Sequence, residues 1–247
     1  MNATSKVKVP LTTIPRFQQE AAEIAFQMSQ YSVDELEHLL RVNAKIAVEN
    51  YKRYQTFHAA TNSLLSALLA YTGIVFKRLN PKDFSAIDFD YAQEHLRLTS
   101  FCYGLLRPLD QIHLYRLEGD VVLPEFGDQT LFDYWKPRLT DLFIEDIRQA
   151  GGTLCYLASE EMKGLFDWKK VEREVQIIYP DFHVWKNGKL STIVVYTKMC
   201  RGEMARHILT NQLTTPEELK GFSWEGFEYN ESLSSDRKFV FTNGKIG

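Results

Sequence analysis

The chain has 247 residues, of which 45% are hydrophobic and 25% are charged, and its formal net charge is −3. This length allows a full hydrophobic core in one large domain or two small ones, and the composition argues against intrinsic disorder. Proteins that coat nucleic acid over their whole surface are normally basic. Any nucleic-acid binding by this chain must therefore come from a local basic patch.

Cysteine usage and the first residues bear on the cellular compartment. Cys102, Cys155 and Cys200 form no Cys-x-x-Cys pair, and their odd number argues against a secreted disulfide scaffold. The polar residues 1–10 contain no apolar core of a signal peptide, and no apolar run approaches the roughly 20 residues that span a bilayer. We therefore predict a cytoplasmic protein without a membrane partner.

The N-terminal third is predicted to be helical. Between residues 16 and 30, apolar side chains recur at helical spacing: Phe17, Ala21, Ile24 and Met28. Ser32 and Glu35 have the spacing of a capping box, in which each side chain accepts a hydrogen bond from the backbone N–H of the other residue. The helix or helix pair that begins there is expected to extend to about residue 58.

The middle of the chain alternates between strand and helix signals. Residues 98–106 are predicted to form a buried strand or tight turn that ends at Arg107. The strongest helix signal covers residues 129–150, where apolar residues share one face and two glycines end the pattern. Residues 153–157 are predicted to follow as a short apolar strand.

The next segment has the pattern of a hairpin followed by helices. The Asn-Gly pair at residues 187–188 is a strong turn signal between predicted strands at residues 175–179 and 190–196. A helix is predicted over residues 201–213. A second helix is expected to begin at Pro216, since proline suits the first helical position.

Two short strands, near residues 226–229 and 238–242, are predicted to complete the fold. Helices and hairpins are mixed without the regular alternation of βαβ units, so the predicted class is α+β. The sequence contains no internal repeat and no Pro/Gly/Ser-rich linker, which favours a single domain over residues 1–247.

No generic catalytic motif is present, and the six histidines lack metal-ligand spacing, so neither a metal nor another cofactor is expected. Polar residues concentrate instead in four segments: residues 103–110, 115–118, 157–161 and 196–202. Their charged side chains are expected to converge on a cleft. In the structural alternative, Arg107 pairs with Asp110 and fixes a turn. Arg116 pairs with Glu118 in the same way.

The segment 186–206 is locally basic, with a net charge of +4. Its charged residues are Lys186, Lys189, Lys198, Arg201, Glu203 and Arg206. Cations close to a helix N-terminus favour phosphate or another anion, because the backbone N–H groups and the side-chain charges act in the same direction. The alternative is a solvated surface without a ligand.

Seven short motifs, in order, resemble those of the YaaA peroxide-stress family. They are Pro-Leu-Thr-Thr at 10–13, Asn-Ala-Lys-Ile-Ala at 43–47, Ala-Gln-Glu-His-Leu-Arg at 92–97, Tyr-Gly-Leu-Leu-Arg-Pro-Leu-Asp at 103–110, Tyr-Arg-Leu-Glu at 115–118, Leu-Ala-Ser-Glu at 157–160 and Lys-Met-Cys-Arg-Gly at 198–202. The resemblance covers residues 9–241. It implies protection of the bacterial cytoplasm during hydrogen peroxide stress and a fold unlike the common superfolds. It also implies a positively charged cleft, a helix-hairpin-helix-like element and DNA binding.

The implied helix-hairpin-helix-like element corresponds to residues 201–219, with its turn at residues 213–216, although that turn lacks the glycines typical of such motifs. A second departure lies at the start of the chain. Family members begin with a short apolar strand and a Ser-x-Ala-Lys-Thr motif, whereas this sequence begins just after that point. We therefore expect a native start upstream of Met1, or a truncated form whose missing strand leaves a sheet edge unpaired.

Two functional hypotheses follow from these patterns and the resemblance. In the first, five cations contact the phosphates of double-stranded DNA with weak sequence preference: Arg107, Arg116, Lys198, Arg201 and Arg206. In the second, the protein is an enzyme acting on a small anionic substrate, with the catalytic candidates Tyr103, Glu118, Ser159 and Glu160. An iron-handling role ranks last, because the sequence contains no ligand cluster. The reaction and the oligomeric state stay open.

Overall fold

A computed structural model of the chain describes residues 1, 4–59, 62–186 and 188–244. The chain forms two compact units, which are described separately. Unit 1 comprises residues 1–71, 93–143 and 160–168, and unit 2 comprises residues 72–92, 144–159 and 169–247. Helices and mixed sheets together confirm the predicted α+β class.

The α-helices are α1 (Gln18–Met28), α2 (Val33–Leu39), α3 (Ala44–Gln55), α4 (Ala67–Ala70), α5 (Ile74–Leu79), α6 (Ala86–His95), α7 (Leu131–Gln149), α8 (Trp168–Glu174) and α9 (Val194–Asn211). The strands are β1 (Leu65–Ser66), β2 (Leu98–Ser100), β3 (Gly104–Leu106), β4 (Gln111–Ile112), β5 (Val122–Leu123), β6 (Gln129–Thr130), β7 (Thr153–Cys155), β8 (Gln176–Lys186), β9 (Lys189–Ser191), β10 (Ser223–Trp224), β11 (Phe227–Tyr229) and β12 (Lys238–Asn243). In the described part of the chain, no helix has both the length and the apolar character needed to cross a bilayer.

Unit 1 begins with α1, α2 and α3, so the predicted helix or helix pair after residue 32 is a pair. The capping box before α2 is present, since Ser32 N donates to Glu35 Oε2 at 2.7 Å and Glu35 N donates to Ser32 Oγ at 3.3 Å. Asn43 caps α3 in a similar way by accepting a hydrogen bond from Ile46 N. The prediction of a helical N-terminal third is confirmed.

The antiparallel pair β2–β3 packs against α7 in the core of unit 1. The indole Nε1 of Trp135, a fully buried α7 residue, donates to the carbonyl of Phe101 at 2.8 Å. Gly104 has a φ of +69°, and a Cβ there would lie 2.8 Å from the Trp135 ring. The predicted strand or turn before Arg107 is confirmed as this pair, and the predicted helix 129–150 corresponds to α7.

Unit 2 contains a sheet in the order β10-β11-β12-β8-β7, with β9 also paired to β8. The central strand β8 runs parallel to β7 and β12 and antiparallel to β9. Phe182, Phe227 and Phe241 form the centre of the core, and Cys200 and Met204 belong to the same buried cluster. The cluster therefore fixes α9 against one face of the sheet.

The hairpin and the helix after it differ in part from the prediction. β8 and β9 pair in the predicted antiparallel sense, whereas Asn187 lies outside the described residues. The predicted strand 190–196 is wrong beyond Ser191, because α9 already begins at Val194. The β-branched residues near Val194 favour a strand locally, but burial of the α9 face in the core outweighs this preference.

The segment after α9 also requires a correction. The helix predicted to begin at Pro216 is a six-residue 3₁₀ helix, Pro216–Gly221, rather than an α-helix. Its N-terminus has a capping box in which Thr215 N donates to Glu218 Oε2 at 2.7 Å. The Glu218 carboxylate thus accepts hydrogen bonds from the backbone N–H groups of Thr214 and Thr215 at the start of this short helix. The two predicted C-terminal strands are confirmed as β11 and β12.

Candidate functional site

Arg107, in unit 1, lies directly after β3 and is bound to a buried carboxylate. Its Nη2 and Nε donate to Asp110 Oδ1 at 2.9 and 3.2 Å, and its backbone N donates to Asp110 Oδ2 at 2.8 Å. Thr13 Oγ1 donates to the same Oδ1 at 2.6 Å. Asp110 is fully buried, so the guanidinium neutralises a charge that would otherwise lack compensation. This is the structural role that the sequence left open for Arg107.

Arg116 forms the second predicted ion pair of unit 1. Its Nη2 lies 2.9 Å from Glu118 Oε1, and both side chains are partly exposed. Burial raises the pKa of Glu118, although the neighbouring Arg116 acts in the opposite direction. The pair thus places a carboxyl group with a raised pKa next to a guanidinium, which is the combination expected of an acid or base held near an anion.

The other three catalytic candidates have separate local roles. Tyr103 is buried, its hydroxyl accepts a hydrogen bond from His113 N at 3.0 Å, and burial raises its pKa strongly. Glu160 pairs with Lys163 at 2.7 Å in unit 1. Ser159, in unit 2, uses its carbonyl to accept from Tyr156 Oη. Within described unit 1, no hydrogen bond joins Tyr103, Glu118 and Glu160 into one constellation.

Among the three predicted cations of unit 2, Arg206 is the one bound to a carboxylate within the described residues. Its guanidinium contacts both carboxylate oxygens of Asp83, at 2.8 and 3.0 Å, and also donates to the carbonyls of Leu79 and Asn80. The hydrogen bonds from Arg206 lower the pKa of Asp83. Arg206 therefore connects α9 to the segment that follows α5.

Lys198 and Arg201 differ from the other three predicted cations. Lys198 is exposed and Arg201 is half-buried, and across residues 4–59, 62–186 and 188–244 neither forms an ion pair with a carboxylate. They are three residues apart on α9, a spacing that places two side chains on the same side of a helix. We refer to residues 194–201 of α9 as the cationic helix start.

The backbone contributes to the positive potential of the cationic helix start. The residue before the helix, Ile193, provides no side-chain hydrogen bond to the first turn. The first N–H groups of an α-helix lack intrahelical partners, and together with the helix dipole they favour an anion. The apolar residues Val194, Val195 and Tyr196 are also exposed here. The surface accordingly combines two cations with backbone donors and apolar contact area.

Gly202 determines how closely α9 approaches α5. A Cβ at this position would lie 2.2 Å from the carbonyl oxygen of Val75 and 2.7 Å from Arg78 Cβ. Because glycine has no side chain, the two helices can pack at this short separation. The contact buries one face of α9, and the exposed Lys198 lies outside it.

A cavity of about 290 Å³ adjoins the same helix within unit 2. Its lining residues are Arg78, Tyr196, Met199, Trp224, Glu225, Phe227 and Asn243. The Arg78 Cζ lies 5.2 Å from the centre of the Trp224 ring, and Arg78 Nη1 lies 3.6 Å from Glu203 Oε1. The sequence analysis missed Arg78 and Trp224, since residues 146 positions apart in the chain leave no local signal for their contact.

The helix-hairpin-helix-like element is not confirmed. In the segment 201–219, α9 ends at Asn211 and Gln212 adopts a left-handed conformation with a φ of +51°. The 3₁₀ helix Pro216–Gly221 takes the place of a second α-helix. The carboxylate of Glu218 caps that turn, at the point where a phosphate-binding motif presents free N–H groups.

Cys102 and Cys200 are buried and Cys155 is partly buried, and the pKa values of all three thiols are raised. Burial raises the pKa of Cys155 and of Cys200 to about 12, and raises that of Cys102 further. All three thiols are unpaired. Within the described residues, no group of three or more His, Cys, Asp or Glu side chains is arranged to hold a metal ion.

Comparison with known proteins identifies relatives over nearly the whole chain. The family model described as peroxide stress protein YaaA matches residues 1–233. A UPF0246 protein of Bacteroides thetaiotaomicron is 80% identical over 99% of this chain and 95% of the relative. The UPF0246 protein BF3795 of Bacteroides fragilis is 69% identical over the same shares. A UPF0246 protein of Clostridium beijerinckii is 35% identical over 95% of this chain and 90% of the relative.

Proposed function

Because the chain belongs to the YaaA peroxide stress protein family, we propose that it acts in the peroxide stress response by binding double-stranded DNA through the cationic helix start. Lys198 and Arg201 contact backbone phosphates, and the first-turn N–H groups of α9 support the same anion. The protein works in the cytoplasm, as the sequence predicts.

One observation carries this proposal. Lys198 and Arg201 have no carboxylate partner among the described residues, whereas Arg107, Arg116 and Arg206 each have one. A phosphate that binds a free cation replaces water and counterions only, but one that binds a paired cation must first displace a carboxylate. The two free cations are therefore the most favourable phosphate contacts of the predicted set.

The same chemistry predicts weak sequence preference. Phosphate contacts position a protein on the duplex but carry no base information. Lysine and arginine at phosphates also make the affinity depend steeply on salt, because binding releases condensed counterions. A chain with a net charge of −3 provides this attraction locally rather than over its whole surface.

The test is a salt titration of DNA binding. The fluorescence anisotropy of a labelled duplex of mixed sequence is measured with wild-type protein and with Lys198→Ala/Arg201→Ala at several potassium chloride concentrations. Each lost phosphate contact lowers the slope of log K against log salt by about 0.9. We expect a slope reduced by roughly 1 to 2 and an affinity reduced by tenfold or more.

A matched control removes an equally exposed cation elsewhere in unit 2. Arg148 pairs with Glu174 at 2.7 Å and is about half exposed. Arg148→Ala is expected to leave the slope unchanged within error, because its side chain is already neutralised. An unaltered slope in the double variant, with a normal melting temperature, would place the DNA contact elsewhere and overturn the assignment.

The enzyme hypothesis keeps one specific observation in its favour. Glu118 has a pKa raised by burial and lies 2.9 Å from the Arg116 guanidinium, an arrangement suited to proton transfer near an anionic substrate. A small anion that raises the melting temperature of the wild type, but not of Glu118→Gln/Arg116→Gln, would favour this reading. Equal shifts of the melting temperature in the wild type and in the double variant would contradict the enzyme hypothesis.

A further inference from the structure

Unit 1 contains a cavity of about 530 Å³, a volume in the usual range for small-molecule sites. Its lining residues are Gln19, Ala22, Glu23, Phe26, Gln27, His58, Glu125 and Phe126. The lining positions on α1 are spaced by one, three or four residues, so that a single face of the helix forms one side of the cavity. Neither the family resemblance nor the proposed DNA contact assigns a role to this place. We refer to it as the unit 1 cavity.

Two phenylalanines provide apolar surface for a ligand. Phe26 lies in the last turn of α1, and its side chain is 54% exposed. Phe126 is held in place by stacking on Tyr134, with ring centres 4.3 Å apart and an angle of 17° between the ring planes. The exposed ring of Phe26 and the fixed ring of Phe126 together provide a contact surface for the aromatic or aliphatic part of a ligand.

The polar groups of the cavity favour a cation. The carboxylates of Glu23 and Glu125 have no basic partner among the described residues, and Glu23 only accepts a hydrogen bond from Gln19 Nε2 at 3.2 Å. Among the described residues that line the cavity, His58 is the one basic side chain. Two carboxylates without a counterion repel nucleic acid and attract an ammonium group.

Gln27 adds an independent observation that points to a hydrogen-bond donor in the cavity. Its side chain is only 6% exposed, yet its Oε1 is buried without a hydrogen-bond partner among the residues that the structure describes. A buried acceptor without a donor is unfavourable, and such groups are rare in native structures. Because the amide oxygen and nitrogen exchange places on rotation about the terminal bond, Gln27 can present its oxygen to a donor in the cavity.

We propose that the unit 1 cavity binds a small organic cation, namely a primary ammonium group attached to an apolar or aromatic body. The ammonium N–H groups donate to Glu23, to Glu125 and to Gln27 Oε1, which together match its three donors. The apolar body packs against Phe26 and Phe126. This binding is separate from the DNA contact of unit 2.

A series of four probes with the same phenyl body tests the proposal by isothermal titration calorimetry on the whole chain. Phenethylamine carries both a charge and N–H donors, and phenethyltrimethylammonium carries the charge without donors. 2-Phenylethanol is neutral, and phenylacetate is negatively charged. We expect phenethylamine to bind at least tenfold more tightly than each of the others, and phenylacetate to bind most weakly. Equal affinity of phenethylamine and phenylacetate overturns the proposal.

Variants separate the charge from the hydrogen bond. Glu23→Gln/Glu125→Gln keeps the shape and is expected to weaken phenethylamine at least tenfold. Gln27→Met removes one of the three acceptors, so phenethylamine is expected to bind with an affinity between its wild-type value and that of the trimethylammonium probe. The matched control Glu94→Gln, at an exposed site outside the cavity, is expected to change neither affinity. Unchanged phenethylamine binding in the folded Glu23/Glu125 variant contradicts the proposal.

The DNA measurement distinguishes this inference from the proposed function. Saturating phenethylamine is expected to leave the DNA salt slope unchanged, and Lys198→Ala/Arg201→Ala is expected to leave phenethylamine affinity unchanged. Each proposal can therefore fail while the other stands. Loss of phenethylamine binding in the Lys198/Arg201 variant would overturn the assignment of the ligand to unit 1.

Discussion

The cationic helix start of unit 2 and the unit 1 cavity present opposite charges that form no ion pair among the described residues. Lys198 and Arg201 have no carboxylate among the described residues, and Glu23 and Glu125 have no basic group there. A formal net charge of −3 conceals this division. The comparison teaches that the pairing state of each charge, rather than the total charge, distinguishes candidate binding surfaces from charges that stabilise turns.

A reactive thiol in either unit would offer a basis for the peroxide function other than the two charged surfaces. A thiolate is the reactive form, and burial raises the pKa of Cys155 and Cys200 to about 12 and that of Cys102 further. We expect iodoacetamide to modify the folded protein roughly a thousandfold more slowly than the urea-unfolded chain at neutral pH, because an ordinary thiol has a pKa near 8.5. Mass spectrometry of the time course measures both rates, and rapid modification of any one native cysteine would refute the expectation.

A change at Gly202 tests whether the cationic helix start needs close packing of α9 on α5. Gly202→Ala places a Cβ 2.2 Å from the carbonyl oxygen of Val75. We expect the free energy of unfolding to fall by about 2 kcal/mol, since the backbone must shift to accept the methyl group. Urea denaturation measures the change, and Gly221→Ala is the control, because a Cβ at that position would have no other described heavy atom within 4 Å. Equal urea midpoints for Gly202→Ala and Gly221→Ala would show that α5 and α9 can move apart without a loss of stability.

Asp83→Asn tests the contrast between paired and free cations, because it removes the carboxylate that pairs with Arg206. The hydrogen bonds from Arg206 lower the pKa of Asp83, so the pair stabilises the fold above the unfolded-state pKa of about 3.9 and loses this effect as the pH falls through the lower folded-state value. In Asp83→Asn, the corresponding part of the acid-induced decrease in melting temperature should disappear. The change is expected to be small, because Asp83 is more than half exposed.

The same variant has a second readout in DNA binding. A guanidinium freed from Asp83 is available to a phosphate, so the salt slope should increase by less than about 1. A slope that falls instead would mean that the pair holds α9 in its binding position, and the contrast between paired and free cations would then need revision. Thermal unfolding between about pH 3 and 7 and anisotropy at neutral pH provide the two measurements.

Local signals predicted the elements whose caps and periodicity agree with their packing. The capping box of Ser32 and Glu35 and the apolar face of α7 are examples. The start of α9 was missed, because residues near Val194 favour a strand and only the packing at Gly202 and the buried cluster of unit 2 overrides them. Sequence patterns therefore located the α+β elements better than the boundaries set by tertiary contacts.

The candidate sites show the same limit. Arg107 lies three residues from Asp110, so their ion pair could be foreseen as one of two alternatives. Arg206 and Asp83 are 123 residues apart, and no local pattern indicates that they meet. The unit 1 cavity joins α1 to residues 125–126 across a long stretch of chain. For this reason the sequence could nominate five cations but could not tell which of them were free.

Asp110 has a practical consequence for work at the N-terminus. Its carboxylate accepts a hydrogen bond from the Thr13 hydroxyl. In addition, Thr13 N donates to the carbonyl of Leu109, and Gln111 N donates to the carbonyl of Thr13. The leading segment is thus held to the interior at Thr13, in addition to the hydrogen bond that Arg53 donates to the carbonyl of Met1. Labels and fusion partners should therefore be attached before Thr13. A truncation that removes Thr13 would remove one of the hydrogen-bond donors that stabilise the buried negative charge of Asp110.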